Sequence, residues 1–434
     1  MTTLLIFVFF LALYVLFIWK SARTLPILYI FLFVYFIQYV FSVYLIYHEF
    51  PALRKEMTVT EEQLFDYTLP ALFFLFSGVF LFNKDINLAG LLKRVSPRQA
   101  TNMGHLLLCM SLFFDLLSLG VPPVRSLLSF TYFMRYAAIM CYVLAPSGRN
   151  YVLIGLIFLE LLRNTFRGGM FLDLFAWPAY MVLLASLRYN ISFRLKFSLI
   201  LIAAPLLIVI QSIKQEYRKA TWSGRSEGSF GLLVSLAQEK KEKEGSPFRS
   251  SDGIAATVGR LNQGWHLGMV LKRVPGRVDF ADGEEMISDL KGVILPRIFF
   301  PEKKTVVDRD KFKKYTGRRL IGGTAMTVGV LADFYINFGR WGSFVGLFLW
   351  GAVLALFLRW FIARYVIPHP LNMVWIPVLF NYVIRASDDF YIVANSLFKG
   401  FLLFLIIEYA RKTFFSDEQR PRVRLPVARP AAKI

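Results

Sequence analysis

The sequence is poor in the residues that build most soluble catalytic sites. Only two of its 434 residues are cysteine, and both, Cys109 and Cys141, lie inside apolar runs. That placement excludes a disulfide framework and leaves apolar packing as their expected role. It also argues against a membrane-embedded cysteine peptidase, which needs an exposed thiol beside a basic partner. The four histidines, His48, His105, His266 and His369, are scattered and form no metal-ligand motif. No phosphate-binding G-x-x-x-x-G-K-[ST] run and no dinucleotide glycine pattern occurs. The first connection between apolar runs, Lys20-Ser21-Ala22-Arg23, has no carboxylate to act as a base, which argues against a cytoplasmic nucleotide-sugar enzyme. Internal repeats and low-complexity tracts are missing as well. Charge is scarce too: 18% of residues are charged, against about 25% in soluble domains.

What fills the sequence is apolar and aromatic: 56% hydrophobic residues, 17% aromatic, with a mean hydropathy of +0.52. These numbers predict an all-α, polytopic membrane protein with about 11 spans. The spans are expected near 3–19, 25–47, 67–83, 103–119, 125–145, 150–162, 170–187, 195–212, 341–358, 371–384 and 398–414. The first residues lack a basic region and a small-residue cleavage site, so Thr2–Trp19 reads as a retained span. The net charge of +21 sits between apolar runs and in the tail, where membrane proteins carry it for topology. No basic recognition helix or stacking module accompanies it, so nucleic acid is not an expected partner. Alternation of basic and less basic connections puts the amino terminus outside and the basic tail, 415–434, in the cytoplasm.

This plan divides the chain into a membrane region 1–213, a polar segment 214–322, a second membrane region 323–414 and the tail. The polar segment carries 22 Lys+Arg against 14 Asp+Glu and is expected outside, mostly helical. Ser251 or Asp252 would cap a helix running to about Arg273, with Arg260, Gln263 and Leu267 on one face. Asp282 with Glu285 reads as a capping box for a second helix. Pro296 and Pro301 force an extended turn that projects Arg297. Beyond it, the Gly-rich stretch 324–339 reads as a half-helix or interfacial helix, because a full crossing would reverse the tail.

The outer side gathers charge that topology does not explain: Arg163, Arg167, Arg260, Arg297, Lys303, Lys304, Arg340 and Arg385. An array of planar guanidinium forks can hold a pyrophosphate. Asp333 stands in an otherwise uncharged run, where a carboxylate must pair with a cation, expected to be an arginine, or serve as a base. Asp115 and Arg135 lie on successive spans and are expected to pair with each other. Lys399 is read as snorkelling, and Asp388-Asp389 as secondary candidates. No clustered ligand set is seen on the outer side, so chemistry without a metal or cofactor is expected.

Three stretches together resemble the bacterial O-antigen polymerases, the oligosaccharide repeat-unit polymerases related to the O-antigen ligases. They are Gly259-Arg260-Leu261-Asn262-Gln263, then Leu295-Pro296-Arg297 with Pro301-Glu302-Lys303-Lys304, and Gly329 followed by Asp333-Phe334-Tyr335-Ile336-Asn337-Phe338-Gly339. The motif-level resemblance covers about 255–350; this chain has Asp333 where the family often has glutamate. The resemblance implies transfer of a glycan from polyprenyl pyrophosphate onto another lipid-linked repeat unit, outside the bacterial inner membrane. It implies Arg260 and Arg297 as pyrophosphate clamps and Asp333 as a base or arginine orienter. Arg163, Arg167, Lys303, Lys304, Asn337 and Arg385 would bind substrate. Implied partners are lipid-linked donor and acceptor, membrane lipids, a chain-length regulator and a repeat-unit flippase. A ligase-type transferase stays open, as does a transporter that draws an anionic lipid headgroup into a cavity. Transporters often show two matching halves, and this chain is asymmetric.

Overall fold

The computed structural model describes residues 24–120, 129–169, 171–189, 191–224, 226–244, 251–295, 308–320 and 326–414, with 8, 9, 12, 13, 15, 16 and 20. Among them every regular element is helical. Among the described residues six helices are long and apolar enough to cross a membrane: Ile27–Glu49 (α1), Glu61–Phe82 (α2), Pro97–Ser118 (α3), Arg194–Trp222, Val330–Val366 and Phe390–Thr413. The expected first span 3–19 falls largely outside the described residues, and the tail 415–434 wholly so.

Between α3 and the fourth of these lie Phe133–Val143 (α4), Gly148–Gly168 (α5) and Leu172–Tyr189 (α6). None of the three qualifies as a candidate span by length and composition. For α4 the reason is length: 11 residues, preceded by a single 3-10 turn at Ser129–Tyr132. For α5 it is charge, since Arg149, Glu160, Arg163 and Arg167 all ride on it. The expected span at 371–384 likewise becomes a 3-10 turn, Pro370–Val374, and a six-residue helix, Trp375–Phe380.

The fourth apolar helix, Phe193–Trp222 (α7), runs about ten residues past the expected span end at 212. The polar segment then folds as Phe230–Glu244 (α8), Ser251–Leu261 (α9), Gly264–Arg273 (α10), Glu284–Ile294 (α11) and Arg309–Thr316 (α12). The single helix expected over 251–273 is therefore two. Asn262 breaks it by accepting the backbone N–H of Trp265 at 3.1 Å, while the Gln263 N–H leaves to the Gln38 carbonyl of α1 at 3.0 Å. The capping box expected at Asp282 does not form. Gly283, at φ 87°, occupies the N-cap of α11 without a side-chain cap. These helices do not stand apart from the membrane body: α9 packs on α7 and α1, α10 on α13 and α11 on both α13 and α14, the last two being Val330–Phe361 and Phe390–Phe414.

The helix α13 starts at Val330, and Gly339 breaks its course at φ 63°, ψ −168°. A left-handed φ with an extended ψ is open only to glycine. A nine-residue piece carrying Asp333 and Asn337 thus precedes the long apolar one. The latter crosses α2 at glycines on both sides: a Cβ on Gly78 would fall on the Phe348 carbonyl, and one on Gly351 on the Leu75 carbonyl. Small residues let membrane helices approach to backbone contact.

Candidate functional site

The carboxyl-terminal turns of α7 form one wall of a cleft of about 720 Å³, with α9 opposite. Gln215, Arg218, Lys219 and Trp222 line it from α7, at the 3- and 4-residue spacing that puts side chains on one helix face. The other face of the same turns carries Ile210, Ile213 and Tyr217, buried against Phe171 and Leu233. Arg260 closes the cleft from the last turn of α9, and Met326 completes it. Two anchors fix Arg218: its Nε donates to the Gly169 carbonyl at 3.0 Å, and its guanidinium lies 4.9 Å from the Trp222 ring centre. Partial burial holds Arg260 below the ordinary arginine value, with Glu216 pulling it back up; a guanidinium stays charged throughout. Three cations therefore face one space whose apolar lining is Trp222 and Met326.

Of the expected site residues that are described, Arg260 alone lines this cleft. Arg163 and Arg167 are exposed on α5, whose end touches the cleft wall where Phe166 accepts the Tyr217 hydroxyl at 2.9 Å. Arg297, Lys303 and Lys304 lie outside the described residues. Arg385 is elsewhere, paired with Asp173 of α6 at 2.9 Å. Arg340 pairs with Asp66 at 2.6 Å. Arg218 and Lys219 were missed, although the polar stripe at Gln215, Arg218, Lys219 and Trp222 is written in the sequence.

Asp333 and Asn337 occupy a different place. Asp333 is fully buried, and its partner is Lys311 of α12 at 2.8 Å rather than an arginine. Its second oxygen accepts the Phe390 N–H at 2.8 Å and so caps α14. Lys311 also reaches Asp289 of α11 at 3.1 Å, and Asp389 lies within its field. Burial alone would lower Lys311, but Asp333, Asp289 and Asp389 overcome it and hold the ammonium well above its ordinary value. Asn337 spends its amide internally, donating to the Asp333 carbonyl at 2.9 Å and accepting from the Met286 N–H at 3.0 Å. With its oxygens so engaged, Asp333 ties α12 to the start of α14. Among the described residues no group of three or more His, Cys, Asp or Glu is placed to hold a metal ion.

Burial, then the neighbouring Asp333, push Asp389 up to about 7, with Lys311 opposing. A carboxyl raised in the folded state stabilises the fold at low pH and loses that contribution as pH climbs through its folded value. Between pH 6 and 8 the wild type is expected to lose about 1 kcal/mol relative to Asp389→Asn, which still caps α14 but cannot ionise. Thermal unfolding in detergent across that range reads the difference; parallel curves for the two proteins would refute it.

The expected pairing of Asp115 with Arg135 is present, and Glu160 of α5 joins it on the other side of the same guanidinium. Comparison with protein-family models, with curated proteins and with solved structures gives no match for this chain.

Proposed function

We propose that the chain is a membrane glycosyltransferase that polymerises polyprenyl-pyrophosphate-linked oligosaccharide repeat units into a surface polysaccharide. The observation that carries this reading is the cationic cleft at the end of a 30-residue apolar helix, with Arg218, Lys219 and Arg260 on one space. A lipid diphosphate needs both halves of that arrangement, an apolar flank for its chain and fixed positive charge for its headgroup. The Gly259–Gln263 stretch that resembles the O-antigen polymerases supplies the α9 side of the same cleft.

In the proposed reaction an acceptor sugar hydroxyl attacks the donor's anomeric carbon, and the bond from that carbon to the diphosphate oxygen breaks. Negative charge then builds on the leaving diphosphate, where preorganised guanidinium groups stabilise the transition state more than the ground state. The hydroxyl proton must leave, and the base proposed for it is Glu216, a carboxylate within electrostatic reach of Arg260 that does not itself line the cleft. Products are polyprenyl diphosphate and a glycan longer by one repeat. Arg297, Lys303 and Lys304 remain part of the proposal on the strength of the motif resemblance.

The decisive experiment supplies purified protein in lipid with lipid-linked repeat units and follows product length. A ladder of polymer is expected, undiminished by excess chelator, since the cleft's own cations do the work a metal would otherwise do. Transfer of a preformed chain without a ladder would instead identify a ligase, and movement of the lipid without new bonds a transporter. Inhibition by chelator, reversed by magnesium, would overturn the metal-independent mechanism.

The proposal places 214–322 outside the inner membrane and the tail inside, with about 11 crossings in all. Alkaline phosphatase fused near Ser250 is expected to be active, and fused after Ile434 silent. Equal activity at both positions would refute this topology.

A further inference from the structure

A second polar constellation lies away from the cleft, where α4, α5 and α6 meet the turn before α14. Arg135, buried on α4, is held by Asp115 and Glu160, and Arg385 by Asp173. Aromatic rings join the two guanidinium groups. Arg135 sits 5.3 Å from the Tyr132 ring centre, and Tyr132 is edge-on to Tyr136 at 5.2 Å. Tyr136 stacks on Trp177 at 4.3 Å, Trp177 reaches Phe133 at 5.7 Å, and Phe133 meets Tyr382 at 6.2 Å. Arg385 closes the chain, 4.5 Å from the Tyr382 ring centre.

Two features distinguish this group from ion pairs that only hold helices together. The carboxylates face outward: the side chains of Asp115, Asp173 and Glu160 are 43%, 33% and 29% exposed, while that of Arg135 is 6% exposed. Donors are also left over, since Trp177 Nε1, fully buried, and the Nε atoms of Arg135 and Arg385 have no hydrogen-bond partner among the described residues. Buried donors without partners cost about 1–3 kcal/mol each and ask for an occupant. Among the described residues the balance is four carboxylates, Asp115, Glu160, Asp173 and Asp388, to three cations, Arg135, Arg385 and Lys399 over the adjoining Phe130 ring, which disfavours phosphate. It suits a ligand whose hydroxyls can both donate to the carboxylates and accept from N–H groups, and which offers flat apolar faces to aromatic rings.

We propose that this constellation binds the sugar rings of a neutral or amino-sugar glycan, with hydroxyls donating to Glu160 and Asp173 and a ring face on Tyr382. It is a glycan subsite separate from the diphosphate cleft. Its identification as the place for a repeat unit rests on the proposed polymerase reading, but its chemistry does not. Arg385 thereby changes role from clamping pyrophosphate to orienting Asp173.

The test uses the full chain in nanodiscs and two probes. One is a set of free oligosaccharides of a few sugars, made by partial hydrolysis of the producing cell's surface polysaccharide, with neither lipid nor phosphate. The other is farnesyl diphosphate. Wild type is expected to bind both, with the oligosaccharide quenching Trp177 fluorescence and that quench absent in Trp177→Phe. Glu160→Gln and Asp173→Asn should weaken oligosaccharide binding at least tenfold and leave farnesyl diphosphate binding unchanged. Tyr382→Leu, which breaks no ion pair, should do the same and carries the test if the charge variants do not fold. Arg260→Ala should show the reverse pattern. Failure of wild type to bind the oligosaccharide, or equal binding by wild type and Tyr382→Leu, overturns the subsite. Loss of both probes together in a folded Tyr382→Leu protein also overturns it, as a structural effect. Oligosaccharide binding without farnesyl diphosphate binding would sink the cleft reading and leave the subsite standing.

Discussion

Lys311→Met is expected to remove most folded protein from the membrane. Among the described residues the ammonium is a cation shared by three carboxylates, Asp289, Asp333 and Asp389, each no more than 4% exposed. Breaking a buried pair by deleting one partner costs about 3–5 kcal/mol, because the other charge is left in a low dielectric. Here the charge left behind is that of Asp333, fully buried, against a total stability of about 5–15 kcal/mol for a typical domain. The damage should spread, since the cluster ties α11 and α12 of the polar segment to the start of α13 and the cap of α14. Lys311→Met combined with Asp333→Asn should recover part of the loss, because the pair is then neutral on both sides. Membrane abundance and the detergent melting temperature read both effects. A Lys311→Met protein with wild-type abundance and melting temperature would show that the cluster does not hold these helices.

The sequence makes this cluster half visible. Asp333 stands out as the lone charge of an apolar run, and its need for a cation follows from that alone. Lys311 does not stand out. It belongs to the run Lys311-Phe312-Lys313-Lys314, which reads as a solvated basic face, and only the burial of Phe312 and Tyr315 shows that this helix turns one side inward. For Asp333 the sequence suggests an arginine partner or a base role, and the partner found is a lysine. A compact ammonium fits better between two carboxylates 2.8 and 3.1 Å away than a planar fork would. The Asp115–Arg135 pair was legible for a simpler reason. Two opposite charges on consecutive apolar helices have few other partners, and chain connectivity brings them together.

The cleft shows the opposite failure. Hydropathy ends the apolar run near residue 212, so Arg218 and Lys219 read as the start of a polar segment, whereas the helix continues to Trp222. Its last turns are amphipathic, with Ile210, Ile213 and Tyr217 inward and the cations outward, a 3.6-residue pattern that a window tuned to full spans averages away. Likewise the break at Asn262 is an N-cap signal inside an otherwise helical run. The all-helical fold was written in composition. The division of arginines into separate groups was not, because it depends on which helices pack together.

Arg260→Ala is expected to lower the rate of polymer formation by about 10²–10³, the cost elsewhere of deleting one preorganised donor to developing charge. Its abundance in the membrane should stay near that of the wild type, since Arg260 keeps a solvent-facing side in the cleft and no carboxylate is bridged to it within ion-pair distance among the described residues. Arg260→Lys should recover part of the rate, because it restores the charge and loses the bidentate fork. Arg218→Ala should fall in the same range but also cost stability, because it gives up the Gly169 hydrogen bond and the Trp222 stack. The two losses are not expected to add. Both groups would act on one diphosphate, and residues working as a unit give a double variant little slower than the worse single one. The measurement is a single-turnover assay with lipid-linked repeat units, which reads the bond-making step apart from product release. A full polymer ladder at normal rate from Arg260→Ala would take this cleft out of the reaction and return the diphosphate to Arg297 and its neighbouring lysines.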